Sequence, residues 1–201
     1  MPTTHPARPV GALDACVLIP AGLRDLLLSC ASEAVFRPVW QDEILDEVRR
    51  NSLRLLVERS GLTRAAAAEA VTHTVEQMTR AFPDALLPSE LWVPLIPDLT
   101  CDKKDRHVLA AAIGAQATHL VTENVCDFPA DSCPDGLAVI KPDQFLLDRL
   151  ADVPAIVRGA VEGMSNRMKH PKRTPTDLAD LMAKGRHVPR FGEKLGELFF
   201  S

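Results

Sequence analysis

The stretch "VGALDACVLIP", residues 10–20, limits the fold more than any other part of the chain. It is apolar almost throughout and alternates poorly. Such a strand is covered on both faces, which argues for a central strand of a parallel sheet flanked by helices. One residue breaks the run: Asp14 stands among Leu13, Val17, Leu18 and Ile19. A carboxylate in that company is costly unless it is paired or holds a cation.

The rest of the chain keeps a strand–helix rhythm. "PAGLRDLLLSCASEA" predicts a helix, "VFRPVW" a short strand, and "QDEILDEVRRNSLRLLVER" a helix with Ile44, Leu45, Val48, Leu55 and Leu56 on one stripe. The Ala-rich "LTRAAAAEAVTHTVEQMTRAF" predicts another helix. Pro83, Pro88, Pro94 and Pro97 mark a loop, with short strand pieces expected near Trp92 to Ile96. A helix over 105–116 follows, then a strand in "THLVTEN", a turn region in "DFPADSCPDG", a last strand in "LAVIK" and a helix in "PDQFLLDRLAD". This order predicts an α/β sandwich with a mainly parallel central sheet. Beyond it only helices are signalled, in "PAIVRGAVEGMSNRMK", "TPTDLADLMAKG" and "FGEKLGELFF". Thr174 is the expected N-cap of the second and Gly185 its stop. The expected division is a loose lead-in over 1–9, one domain over 10–150 and a small helical extension over 151–201.

Charge is split along the same line. Residues 1–150 hold 14 Lys and Arg against 21 Asp and Glu, net −7, and residues 151–201 hold 9 against 6, net +3. No basic footprint covers the whole chain, but the extension leans that way. The five Cys are odd in number and form no CxxC pair, which argues against a disulfide framework or zinc knuckle and for a reducing cytoplasm. No apolar run is long enough to span a membrane, so no membrane association is expected.

Several carboxylates fall at the ends of apolar elements. Asp14 caps the turn after the first strand or does chemistry there. Glu47 borders the buried stripe of its helix, with Asn51 one turn on; pairing with Arg50 or Asn51 is the plainer role. Asp102 and Asp105 open the later helix, where capping is a sufficient explanation. Asn124 and Asp127 follow a strand end, where turn-making suffices. Together these positions fall at one edge of one sheet, where α/β sheets place their sites.

The segments "ALDACVLIP", "DEILDEVRRN", "DKKDRHVLAAAIGAQATHLVTENVCDFP" and "KPDQFLLDRL" resemble the PIN-domain ribonucleases, particularly the VapC-type toxins of bacterial toxin–antitoxin systems. The resemblance covers roughly 10–150. The tail, with "HPKRTPTDLADLMAKG", is similar to a helical extension carried by one subgroup. It implies a PIN-like α/β/α sandwich and a metal-dependent endoribonuclease. Asp14, Glu47, Asp105 and Asp127 then match the acidic, metal-holding catalytic positions, with Asn124, Asp102 and Asn51 in support. An RNA substrate, a cognate antitoxin protein, a possible homodimer and a cytoplasmic location come with the resemblance. Ala15 and Cys16 depart from the small polar residues usual beside the first Asp, so a group that steadies Asp14 is expected to be missing.

Carboxylate oxygens suit Mg²⁺ or Mn²⁺, which activate water and offset charge on a phosphodiester. Arg49, Arg50, Lys103, Lys104, Arg106 and Arg173 are candidates for RNA phosphate contacts, with a solvated surface as the plain alternative. His107 reads as structural rather than as a base. A phosphotransferase of the haloacid dehalogenase type would need Asp at position 16, and no GxGxxG follows the first strand for a dinucleotide. A catalytically silent PIN-like module that binds RNA or protein stays open.

Overall fold

The computed structural model describes residues 8–200, the last of them by its backbone alone. Of the expected lead-in, residues 1–7 lie outside the described residues, and Pro9 already accepts a bond from the Arg37 N–H at 2.9 Å.

Four strands form one sheet: β1 (Val10–Leu13), β2 (Arg37–Val39), β3 (His119–Val121) and β4 (Ala138–Ile140). Their order is β2-β1-β3-β4, and each neighbouring pair is parallel. The chain first steps from β1 to β2 on one side, then returns to β3 on the other. The carboxyl ends of β1 and β3 therefore flank the point where the strand order reverses, the usual place for a site in such sheets.

Between the strands run α1 (Ala15–Leu18), α2 (Ala21–Ser32), α3 (Asp42–Ser60), α4 (Arg64–Ala81) and α5 (Arg106–Gly114). α6 (Pro142–Asp152), α7 (Pro154–Arg167), α8 (Pro175–Lys184) and α9 (Pro189–Phe200) follow β4. α3 starts where Gln41 accepts bonds from the Glu43 and Ile44 N–H groups, and it stops at Gly61 in the left-handed region. Thr174 and Asp177 close a capping box on α8, as the sequence predicts. Two expectations fail locally. The first strand ends at Leu13, and the apolar run after Asp14 winds into α1. The strand pieces expected near Trp92 to Ile96 are 3₁₀ turns (Ser89–Leu91 and Val93–Asp98); Pro94 and Pro97 lack the N–H groups a ladder needs.

α5 packs on β1 and β3, and α2 packs on β2. Gly11 lets the Phe36 and Phe145 rings close over β1, where they meet edge to face with centroids 5.0 Å apart. The helices after β4 share this core. Val157, Ala160, Val161 and Met164 of α7, Leu178 of α8, and Phe191 and Leu195 of α9 belong to the same buried cluster as Leu13, Leu26 and Leu120. α7 packs along α2, and α9 lies against α6 and α8.

α8 and α9 cross so closely that a Cβ on Gly192 would strike the Ala183 backbone. Gly192→Ala is therefore expected to destabilise the chain by about 1–3 kcal/mol, an overpacking cost. Differential scanning calorimetry should show the Tm fall by several degrees; an unchanged Tm would contradict this crossing.

Candidate active site

The parallel register fixes the centre of the site. Leu13 pairs with Val121, so the next residues, Asp14 and Thr122, stand side by side at the carboxyl edge. Backbone bonds close that edge: the Asp14 N–H donates to Val121 O at 3.2 Å and the Thr122 N–H to Ile140 O at 3.0 Å. Asp14 is only 7% exposed. It occupies the N-cap position of α1 but makes no side-chain cap bond. Its Oδ2 instead accepts the Thr122 hydroxyl at 2.6 Å and the Cys16 thiol at 3.0 Å. The expectation that a steadying group is missing is thus overturned. The group comes from β3, 108 residues away, and Cys16 supplies the other proton. Burial, reinforced by Asp14, pushes the Cys16 thiol up to about 12, so it remains a donor. Among the described residues, Asp14 Oδ1 accepts no hydrogen bond.

Asp105 precedes α5 at its N-cap position, yet it makes no side-chain cap bond. Its Oδ2 is buried and takes no hydrogen bond. Burial raises its pKa; Lys104 opposes the rise, while Asp127, Asp14 and Asp102 add to it. These acids therefore lie within one another's fields. Asp102 does make a turn, accepting the Lys104 backbone N–H at 3.1 Å. Asp127 ends the 3₁₀ turn Val125–Asp127 after β3, and its backbone N–H donates to Asn124 O at 3.0 Å. The Asn124 side chain is exposed, while its backbone N–H donates to the Thr122 hydroxyl at 3.0 Å. The Lys104 ammonium stands 3.7 Å from Oδ2 of both Asp105 and Asp127. Those carboxylates raise its pKa and keep it charged.

Glu47 pairs with neither Arg50 nor Asn51. Its Oε1 lies 3.6 Å from Nε2 of His107, a buried residue of α5. His107 is further tied by its carbonyl, which accepts the Gln41 side chain at 3.5 Å; this is a structural placement that locks α3 to α5. Asn51 takes a bond from Arg54 at 3.2 Å. Of the candidate phosphate contacts, Arg49 pairs with Asp46 at 2.6 Å and Arg106 donates to Cys101 O at 3.1 Å. Arg50 and Lys103 are exposed, and Arg173 is half-buried in the extension.

The donor set is one of hard oxygens, and one buried carboxylate oxygen has no partner. Both suit a divalent cation of the Mg²⁺ or Mn²⁺ kind. The side chains are not drawn into a cage, however: among the described residues no three His, Cys, Asp or Glu converge on one point.

Sequence reading missed Thr122 and the contribution of the extension. His187, between α8 and α9, places Nδ1 2.6 Å from Oε1 of Glu123, while its Nε2 accepts from Arg186 Nε at 3.0 Å. That arrangement puts the imidazole proton on Nδ1, facing Glu123. The Glu123 N–H in turn donates to Cys16 Sγ at 3.3 Å. The extension thus reaches the edge of the acidic cluster. Only the apolar-to-polar switch at "LVTEN" could have pointed to Thr122; nothing local signals His187.

Two consequences can be measured. Thr122→Val leaves a buried carboxylate short of a charge-assisted bond, an expected loss of about 1.5–3 kcal/mol read as a lower Tm. Iodoacetamide at pH 8 should label exposed Cys126 in the folded protein and spare Cys16 until denaturant is added; rapid labelling of Cys16 would contradict its placement.

Comparison with known proteins follows the same division. The PIN-domain family profile matches residues 12–126, and a profile described as the VapC50 C-terminal domain matches residues 142–197. A Mycobacterium tuberculosis protein named "Putative ribonuclease VapC50" is 39% identical over 106 residues, which cover 52% of this chain and 62% of that protein. The matched stretch is therefore less than two thirds of the relative's length. No solved structure matches the chain. Among the described residues no helix is long and apolar enough to cross a membrane. With β1 and β3 ending side by side at Asp14 and Thr122, and both profiles in sequence along it, the chain belongs to the PIN-domain family, in its VapC-type branch with a C-terminal extension.

Proposed function

We propose that this protein is a metal-dependent endoribonuclease, a hydrolase of RNA phosphodiester bonds that acts as the toxin of a toxin–antitoxin pair. The observation that carries the reading is Asp14: a buried carboxylate at the switch point, held on one oxygen by Thr122 and Cys16. Family membership and the ribonuclease name of the mycobacterial relative support it. A cognate antitoxin protein, an RNA substrate, a cytoplasmic location and a possible homodimer belong to the same reading.

Asp14, Glu47, Asp105 and Asp127 would hold the ion, either Mg²⁺ or Mn²⁺. When bound, the ion supplies an activated water and offsets charge on the phosphodiester. The chain's own part is placement. Thr122 and Cys16 spend their protons on Oδ2 of Asp14, and no hydrogen bond among the described residues engages Oδ1. Asp105 Oδ2 is buried and takes no hydrogen bond, with the Lys104 ammonium 3.7 Å away. His107 limits the swing of Glu47. Exposed Arg50 and Lys103 can meet RNA phosphates, while Arg49 and Arg106 would first have to leave Asp46 and the Cys101 carbonyl.

A second reading, a silent PIN-like module that binds RNA or protein, is favoured by one observation: the acids do not converge, and a lysine stands between two of them.

Cleavage of a mixed single-stranded and structured RNA pool separates the two. Wild type should cut with Mn²⁺ or Mg²⁺ and stop with EDTA, and Asp14→Asn should lose at least about a hundredfold in rate while folding normally. Folded, antitoxin-free protein that fails to cut with any metal would favour the silent module. Asp105→Asn should also lose cleavage, yet its metal-free form should melt higher than wild type, because burial and the neighbouring Asp127, Asp14 and Asp102 disfavour the Asp105 charge more than the exposed Lys104 ion pair favours it.

A further inference from the structure

Lys104 is placed unlike the other lysines near the site. The turn that carries it is fixed by Asp102, which accepts the Lys104 backbone N–H at 3.1 Å through its side chain and the Asp105 N–H at 2.9 Å through its carbonyl. From that turn the Lys104 side chain reaches between two carboxylates from different elements, one ahead of α5 and one after β3. Its Nζ is 3.7 Å from each. That separation is an ion pair without a hydrogen bond, and Asp105 Oδ2 stays without one. The lysine side chain is 66% exposed, so it can swing into solvent at little cost. Arg106, another nearby cation, is turned away to the Cys101 carbonyl.

We infer that the Lys104 ammonium is the resident counter-ion of the Asp105–Asp127 pair, and that a divalent cation must displace it to bind. This rests on the metal-site reading above. Two carboxylates brought together by the fold repel unless a cation lies between them. The ammonium fills that role in the metal-free protein, so a divalent ion competes with it and binds more weakly than the acids alone would allow. Lys104 is thus a positioning residue that sets ion affinity, in place of the phosphate contact expected from its charge.

The test is calorimetric titration of the full chain with Mn²⁺ alone, without RNA. Lys104→Ala should bind Mn²⁺ roughly threefold to tenfold more tightly than wild type, the gain expected from removing two exposed ion pairs. Its metal-free Tm should fall slightly while its Mn²⁺-induced rise in Tm grows. Lys103→Ala removes the same charge one residue away and should change affinity less than twofold. Lys104→Arg keeps a cation in place and should bind no more tightly than wild type. Equal or weaker binding by Lys104→Ala, or an equal gain in Lys103→Ala, would overturn the inference and leave the metal site standing. Absence of Mn²⁺ binding in wild type and every variant would overturn both.

Discussion

The hydrogen bond from the Thr122 hydroxyl to Asp14 is the contact around which the site is arranged. It follows from register. Parallel pairing of Leu13 with Val121 brings the next residue of each strand to the same point on the edge. A slip of one residue would turn Asp14 away from Thr122 and reverse the faces of β1. A buried carboxylate would then lack its strongest partner, so the packing of the sheet and the chemistry of the edge are one constraint. The backbone bonds from Asp14 to Val121 and from Thr122 to Ile140 hold β1, β3 and β4 in that alignment.

Much of this fold is legible in the sequence because its signals are local and strong. A non-alternating apolar run implies a parallel strand; Thr174 and Gly185 bound α8 where helix-terminus chemistry places them. The acids at the sheet edge are also legible as positions. Their partners are not. Thr122 lies 108 residues from Asp14, and His187 lies 64 residues from Glu123, so no periodicity relates them. Local rules even misdirect at Asp105, which stands at a helix N-cap but does not cap. They misdirect again at Glu47, whose partner is on another helix and not one turn along its own. Position in sequence gave the residues, but only three-dimensional packing reveals which plain explanations fail.

The C-terminal helices alter how the extension is understood. α7 and α9 bury Val157, Phe191 and Leu195 in the core that supports β1, and the Arg167 guanidinium donates to Ser29 of α2 at 2.8 Å. The loop between α8 and α9 reaches Glu123, next to the residues that hold Asp14. The extension is therefore continuous with the nuclease-like core in packing and touches the acidic edge, which gives it a physical route to influence the site.

The most direct measurement is a crystal structure of the full chain grown or soaked with Mn²⁺ and recorded at a wavelength where manganese scatters anomalously. The account predicts an anomalous peak bonded to Asp14 and Asp105, with Lys104 turned out toward solvent and the Thr122–Asp14 bond kept. A well-occupied crystal with no peak at this edge, or a peak bound only by other carboxylates, would contradict it.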